Sequence, residues 1–249
     1  MFNPMRLEGR RILITGASSG IGRATAVYAA RLGAEVVLTA RRREELEATR
    51  AAMENPAAHL VVPGDLADFA FLRRLVAEAG RLDGLVAAGG TQPLAPAGII
   101  AATEVDAAMK VNCGAFIELM NHYAGAAART ERFSAVAVSS VSARAGWPGG
   151  TAYAATKGAL SAAVRALAVE LAPKGIRVNA VCPAAIDTPM IAPMRSLDPE
   201  GFARGIAAAQ PLGLGRPDQV AAVICFLLGD AANFITGAEI PVDGGYLAR

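Results

Sequence analysis

The stretch that decides the fold is Arg11-Ile12-Leu13-Ile14-Thr15-Gly16-Ala17-Ser18-Ser19-Gly20-Ile21-Gly22. Its first five residues are almost continuously apolar, which predicts a strand covered on both faces. A turn with glycines at 16, 20 and 22 follows, and residues 21–32 have the length and composition of a helix. Glycine allows a tight reversal and a close approach to the backbone. The helix start adds unpaired N–H groups and the positive end of its dipole. A turn of this kind after a first strand is a cradle for a phosphate group, although the glycines alone would serve equally for tight packing.

The same alternation continues outward along the chain. Short aliphatic runs recur at 35–38, 60–62, 85–87, 135–138, 177–181 and 239–242, with helical segments at 68–79, 153–171 and 217–228 among them. Repeated strand–helix–strand order predicts an α/β, Rossmann-type, doubly wound parallel sheet of about seven strands with helices on both faces. No Ser- or Pro-rich linker interrupts it, so residues 1–249 are expected to form one domain. The stretch 183–217 is weakest for regular structure, with Pro189, Pro193, Pro199 and Pro211 among Met190, Ile191, Met194 and Phe202. A long apolar excursion of this kind is expected to serve as a substrate lid around 184–216.

Composition narrows the class. Of 249 residues 53% are apolar and 18% charged, enough to bury a core and too apolar for disorder. A net charge of +2 is too balanced for nucleic acid or an anionic membrane to be the main partner. Cys113, Cys182 and Cys225 are far apart, His59 and His122 are isolated, and no metal site is expected from them. No apolar run approaches membrane-spanning length and residues 1–11 lack a signal-peptide core. These features lead us to expect a cytoplasmic protein acting on a small molecule.

The reactive pattern is Tyr153-Ala154-Ala155-Thr156-Lys157. A spacing of four puts phenol and amine on one helix face, though an ordinary amphipathic face would look the same. A phenol titrates near ~10, and moving it toward ~7 takes about 4 kcal/mol, which one ammonium at ~4 Å in a dielectric of ~20 supplies. Ser140 precedes Tyr153 by 13 residues, on the far side of the Gly/Pro-rich loop 145–150. That loop is expected to swing the helix start back over the strand end and bring hydroxyl and phenol together.

The glycine turn, the Ser140/Tyr153/Lys157 set and Val242-Asp243-Gly244-Gly245 together resemble the short-chain dehydrogenase/reductase family from Gly9 almost to the end. The resemblance implies that Gly16, Ser18, Ser19, Gly20, Ile21 and Gly22 bind the NAD(P) pyrophosphate. It implies Tyr153 as acid/base, Lys157 as the group that lowers its pKa and holds the nicotinamide ribose, Ser140 as the carbonyl-orienting hydroxyl, and Asn112 as the holder of a relay water. Asp65 and Leu66 match the adenine contact, Ala88 and Gly89 the adenine-side ribose, and Pro183, Ile186 and Thr188 the nicotinamide carboxamide. The family's usual Asp after strand two falls on Ala40, and Arg41 and Arg42 follow. A guanidinium there grips a 2′-phosphate that a carboxylate would repel, so NADP(H) is expected over NAD(H).

Two positions depart from the pattern. Ala87-Ala88-Gly89-Gly90 stands where Asn-Asn-Ala-Gly is usual, which removes the Asn amide's hydrogen bonds from strand four to its neighbours and to the cofactor's adenine-side ribose. Ala184 replaces a glycine, so that backbone cannot need positive φ. Gln92, Trp147 and Met190, with Pro93, Pro148, Ile191, Met194 and Phe202, suggest a mostly apolar substrate pocket. The family also implies a homotetramer or other homo-oligomer, paired through helices around 105–128 and 153–171. The expected activity is NADPH-dependent carbonyl reduction, reversible as alcohol oxidation. Reduction of a 3-oxoacyl thioester on an acidic carrier protein, met by Arg129, Arg132 and Lys174, is a narrower alternative. A catalytically silent NADP-binding regulator is another.

Overall fold

The computed structural model describes residues 5–248. The chain begins with β1 (Arg11–Thr15), α1 (Gly20–Arg31), β2 (Glu35–Thr39), α2 (Arg43–Ala51), β3 (Leu60–Val61) and α3 (Phe69–Ala79). It continues through β4 (Leu82–Ala87), α4 (Ala102–Met109), α5 (Ala115–Tyr123), β5 (Arg129–Val138), α6 (Thr151–Leu171) and β6 (Arg177–Pro183). The last elements are α7 (Ala192–Leu197), α8 (Pro199–Ala209), α9 (Pro217–Leu228) and β7 (Glu239–Val242).

All seven strands pair in parallel in one sheet, in the order β3-β2-β1-β4-β5-β6-β7. The apolar runs are continuous because each strand feeds two cores. Leu13, Leu85, Ala135, Ala137, Val178 and Ala180 face one core with α3, α5 and α6. Ile12, Ile14, Val86, Val136, Val138 and Val181 face the other with α1 and α9. Successive side chains point to opposite faces, so a strand covered twice has few polar positions, and Ser134 and Asn179 hold theirs by bonding backbone carbonyls.

The strand order reverses between β1 and β4, and the crevice outside their carboxyl ends is where such sheets hold ligands. The carboxyl end of β4 is in register on both sides, with Ala87 opposite Thr15 and Ala137, after a register shift against β5 between Leu82 and Gly84. Beyond the strand, the Gly89 N–H donates to Thr15 Oγ1 at 3.1 Å, a direct tie between the two strand ends. Among described residues the one non-glycine at positive φ is Asn55, so Ala184 is unstrained.

Two sequence expectations are corrected. The helical stretch expected around 105–128 ends at Tyr123 and contains a π turn at Lys110–Gly114 between α4 and α5. The stretch 183–217, read as irregular, contains α7 and α8. Its prolines fall where helices accept them: Pro193 and Pro199 lie in first turns, and Asp198 caps α8 by accepting from the Gly201 N–H at 2.8 Å. No helix among the described residues is long and apolar enough to cross a membrane.

Candidate active site

The wall nearest the reversal point is backbone. Gly16 has φ +67°, and a Cβ there would lie 2.7 Å from the N and Cα of Gly89. Only glycine lets the turn after β1 lie this close to the segment after β4. Gly20, at φ +53°, faces the Thr188 methyl, which would sit 3.1 Å from an added Cβ. Ser19 stands at the α1 N-cap without a side-chain capping bond, and the first turn holds no acidic residue. The leading N–H groups and the dipole are therefore not neutralised by the helix's own side chains.

At the end of β2, Ala40 is buried and Arg41 is exposed. Arg42 pairs with Glu45 at 2.9 Å, whereas Arg41 has no ion pair among the described residues. The two guanidiniums are therefore unequal, and Arg41 is the more available. After β3, Asp65 Oδ1 accepts from the Ala67 N–H at 2.9 Å, and the Leu66 side chain lies against Gly89.

The opposite end is built from side chains. β5 stops at Val138, and Ser140 caps a short 3-10 turn, its Oγ accepting from the Ser142 N–H at 3.1 Å. The loop 145–150 then returns the chain to the start of α6, as expected. Trp147 is pinned in that loop by donating from Nε1 to Ser142 Oγ at 3.0 Å. Tyr153 and Lys157 are both buried on the inward face of α6, and a side-chain hydrogen bond joins Ser140 to the phenol. Lys157 Nζ donates to the Val138 carbonyl at 2.8 Å and lies 5.6 Å from the centre of the Tyr153 ring.

The electrostatics differ from the sequence expectation. Burial pushes the Tyr153 hydroxyl up to about 12, against a smaller downward pull from Ser140, instead of toward neutrality. Burial also brings Lys157 down to about 8, where it titrates just above neutral pH. Burial outweighs the Ser140 contact, and the Lys157 ammonium, 5.6 Å from the ring centre, is spent on a backbone carbonyl. At neutral pH the pair is a protonated phenol beside a largely protonated amine, which is an acid poised to donate.

One cavity of about 490 Å³ takes in every residue singled out from the sequence for the glycine turn, Arg41, Arg42, Asp65, Leu66, Ala88, Gly89, Ser140, Tyr153, Lys157, Pro183, Ile186 and Thr188. It also takes in Gln92, Trp147 and Met190. Asn112 does not line it. It stands behind, buried in the π turn, with Oδ1 accepting from the Thr91 N–H at 2.8 Å. Its Nδ2 donates to the Thr91 carbonyl and to Thr156 Oγ1. The side chain thus ties the segment after β4 to the helix that carries Tyr153.

Ile191 and Met194 line the cavity, but Pro93, Pro148 and Phe202 do not; Ile206, one turn beyond Phe202 on α8, does. Sequence reading also missed Ser142, Gln210 and Tyr246 in the wall. Gln210 is buried, and its amide closes the base of the 184–216 excursion. Oε1 accepts from the Ala185 N–H at 2.8 Å, and Nε2 donates to the carbonyls of Ala185 and Gly213. An isolated bridge between Ile186 and Gly215 fastens the same base. Arg129 is buried and cannot face a carrier protein, whereas Arg132 and Lys174 are exposed.

Residues 16–247 match a family model described as enoyl-(acyl carrier protein) reductase. The chain is 38% identical to cis-4-hydroxycyclohexanecarboxylate dehydrogenase of Sinomonas cyclohexanicum, over 96% of this chain and 97% of that one. It is 36% identical to L-xylulose reductase of Bos taurus, covering 98% and 99%. Among solved structures, a gluconate 5-dehydrogenase from Burkholderia cenocepacia J2315, in complex with NADP and tartrate, is similar with a TM-score of 0.90. It is 27% identical, covering 99% of this chain and 98% of that one.

Proposed function

Because the chain belongs to the short-chain dehydrogenase/reductase family of oxidoreductases, we infer that it interconverts ketones and secondary alcohols with NADP(H) as its preferred cofactor. The observation that carries this reading is the meeting of Ser140, Tyr153 and Lys157 with the Gly16–Gly22 turn in one cavity. The residues present fit a dinucleotide. The turn leaves a backbone-lined approach beside uncapped N–H groups, and Arg41 has no ion pair among the described residues where a 2′-phosphate would need a cation.

In this reading Gly16, Ser18, Ser19, Gly20, Ile21 and Gly22 hold the pyrophosphate, while Asp65, Leu66, Ala88 and Gly89 hold the adenosine side. Pro183, Ile186, Thr188 and Lys157 hold the nicotinamide side, and Arg42, partly spent on Glu45, assists Arg41. Bound there, the cofactor supplies hydride exchange with the carbon of the alcohol or ketone. Tyr153 gives its hydroxyl proton to the carbonyl oxygen during reduction, for which a phenol held protonated is the right starting state. Ser140 Oγ accepts from the Ser142 N–H, and its own proton, which reaches the Pro183 carbonyl only at 3.5 Å, turns to the carbonyl oxygen when substrate binds. Lys157 holds the ribose with the N–H groups not given to Val138, and Asn112 keeps the relay side of the site in register. The segment 184–216 acts as the lid, with Met190, Ile191 and Met194 over the substrate and Gln92 and Trp147 facing them.

We further place the protein in the cytoplasm as a homo-oligomer; its three cysteines are free and buried, which suits a reducing compartment. A spectrophotometric screen of NADPH against NADH over ketones, ketoesters and sugars tests the reading. Oxidation of NADPH in preference to NADH with at least one neutral ketone is the expected outcome. Comparable or better use of NADH would overturn the cofactor assignment.

A further inference from the structure

The substrate end of the cavity is poor in charge, and that scarcity has a chemical meaning. Among its lining residues the charged side chains are Arg41, Arg42, Asp65 and Lys157. The first three sit after β2 and β3, at the far end from Ser140 and Tyr153. Lys157 lies beneath the reacting position, with one N–H committed to Val138 at 2.8 Å. A group across a ring from the reacting carbon cannot reach it while the carbonyl oxygen meets Tyr153.

The 184–216 excursion does not repair the deficit. Its arginines, Arg195, Arg204 and Arg216, do not line the cavity, and each is paired with a carboxylate: Asp187 at 2.8 Å, Glu200 at 3.4 Å and Asp218 at 3.0 Å. The lid side chains that do line the cavity include Met190, Met194 and Ile206, with Met190 itself partly open to solvent. The remaining polar groups are neutral. The Gln210 amide is saturated by Ala185 and Gly213, and Trp147 is spent on Ser142. Tyr246 closes the wall from the chain's end. Its turn is wired by Asp243, which accepts from the N–H groups of Gly245 at 3.0 Å and Leu247 at 2.9 Å. The charged side chain in that turn is a carboxylate, not a cation.

We propose that this end is selective for uncharged ketones and secondary alcohols and excludes analogues that carry a carboxylate away from the reacting carbon. The proposal rests on the alcohol-dehydrogenase reading above and narrows its substrate class. Burying an unpaired carboxylate against methionine and isoleucine is disfavoured enough for a discrimination of about 100-fold or more.

The test is NADP⁺-linked oxidation of cyclohexanol, cyclopentanol and 2-butanol beside cis-4-hydroxycyclohexanecarboxylate, with NADPH affinity followed separately by fluorescence. Wild type should favour the best neutral alcohol by about 100-fold or more in kcat/KM. Met194→Arg should bring the ratio down at least about tenfold by supplying a cation, and Met194→Leu should leave it unchanged. NADPH affinity should be the same in all three proteins. Equal or better use of the carboxylate by wild type would overturn the proposal, as would an unchanged ratio in a folded Met194→Arg protein that still binds NADPH. Failure to oxidise any neutral alcohol while NADPH binds would overturn it too. Loss of NADPH binding in wild type would instead bring down the reading beneath it.

Discussion

At the Gly16–Gly22 end the cavity wall is backbone, set by local sequence: one strand, one turn and the first turn of α1, pressed against Gly89. At the Tyr153 end the wall is side chains brought from the loop after β5, from α6, from α7 and α8, and from the C-terminal turn. A backbone wall suits a ligand whose shape does not vary, and its tolerance for change is small. A side-chain wall can be retuned residue by residue without touching the fold. The two ends should therefore fail differently when altered.

The largest effect on the fold is expected from Gly16→Ala. The new methyl meets the Gly89 backbone at 2.7 Å in a left-handed conformation, so both fold and binding should suffer. Stability should drop by about 3 kcal/mol in denaturant unfolding, with NADPH affinity weakened at least about tenfold. Gly98→Ala, where an added Cβ meets nothing within 4 Å, should be close to neutral in the same assays. Equal responses at both positions would remove the distinction between a packed wall and an ordinary loop.

Arg41→Ala comes next. It should raise KM for NADPH by about tenfold or more and leave KM for NADH nearly unchanged, because only the 2′-phosphate needs the guanidinium. Equal effects on both cofactors would make Arg41 an ordinary surface charge of the β2 end.

The smallest effect concerns Lys157 and pH. The buried amine releases its proton near 8, while the unfolded chain keeps it up to about 10.5. Between those values the unfolded state binds more protons, so this group makes stability rise with pH in that window and adds a constant penalty below it. Lys157→Met should flatten that slope in denaturant unfolding between pH 8 and 10. In wild type, kcat/KM for ketone reduction should fall as pH climbs past about 8 and the ammonium is lost. A stability slope that persists in Lys157→Met would assign the proton release to another group.

The contrast between the two ends also explains what could be read in advance. Strands covered on both faces are continuously apolar, so their positions followed from the residues, and so did the glycine turn, whose residues are neighbours in the chain. Tyr153 and Lys157 were legible because four residues is one helical turn. Tyr246 and Gln210 were not, because each meets the site through contacts far from its own neighbours; Leu212, for example, donates its N–H to the Gly244 carbonyl at 3.1 Å. Helices α7 and α8 were hidden by prolines that sit in first turns and break nothing. The direction of the Tyr153 shift was missed for a physical reason. Sequence spacing gives the distance between two charges along a helix, but not how far burial removes both from water.

Tyr153→Phe, which removes one hydroxyl, tests the central claim most directly when single-turnover ketone reduction is measured alongside NADPH affinity. Affinity should stay within about twofold of wild type while the rate falls by about a thousandfold, the loss of a positioned general acid. A phenylalanine variant that reduced ketones at the wild-type rate would show that the proton comes from elsewhere.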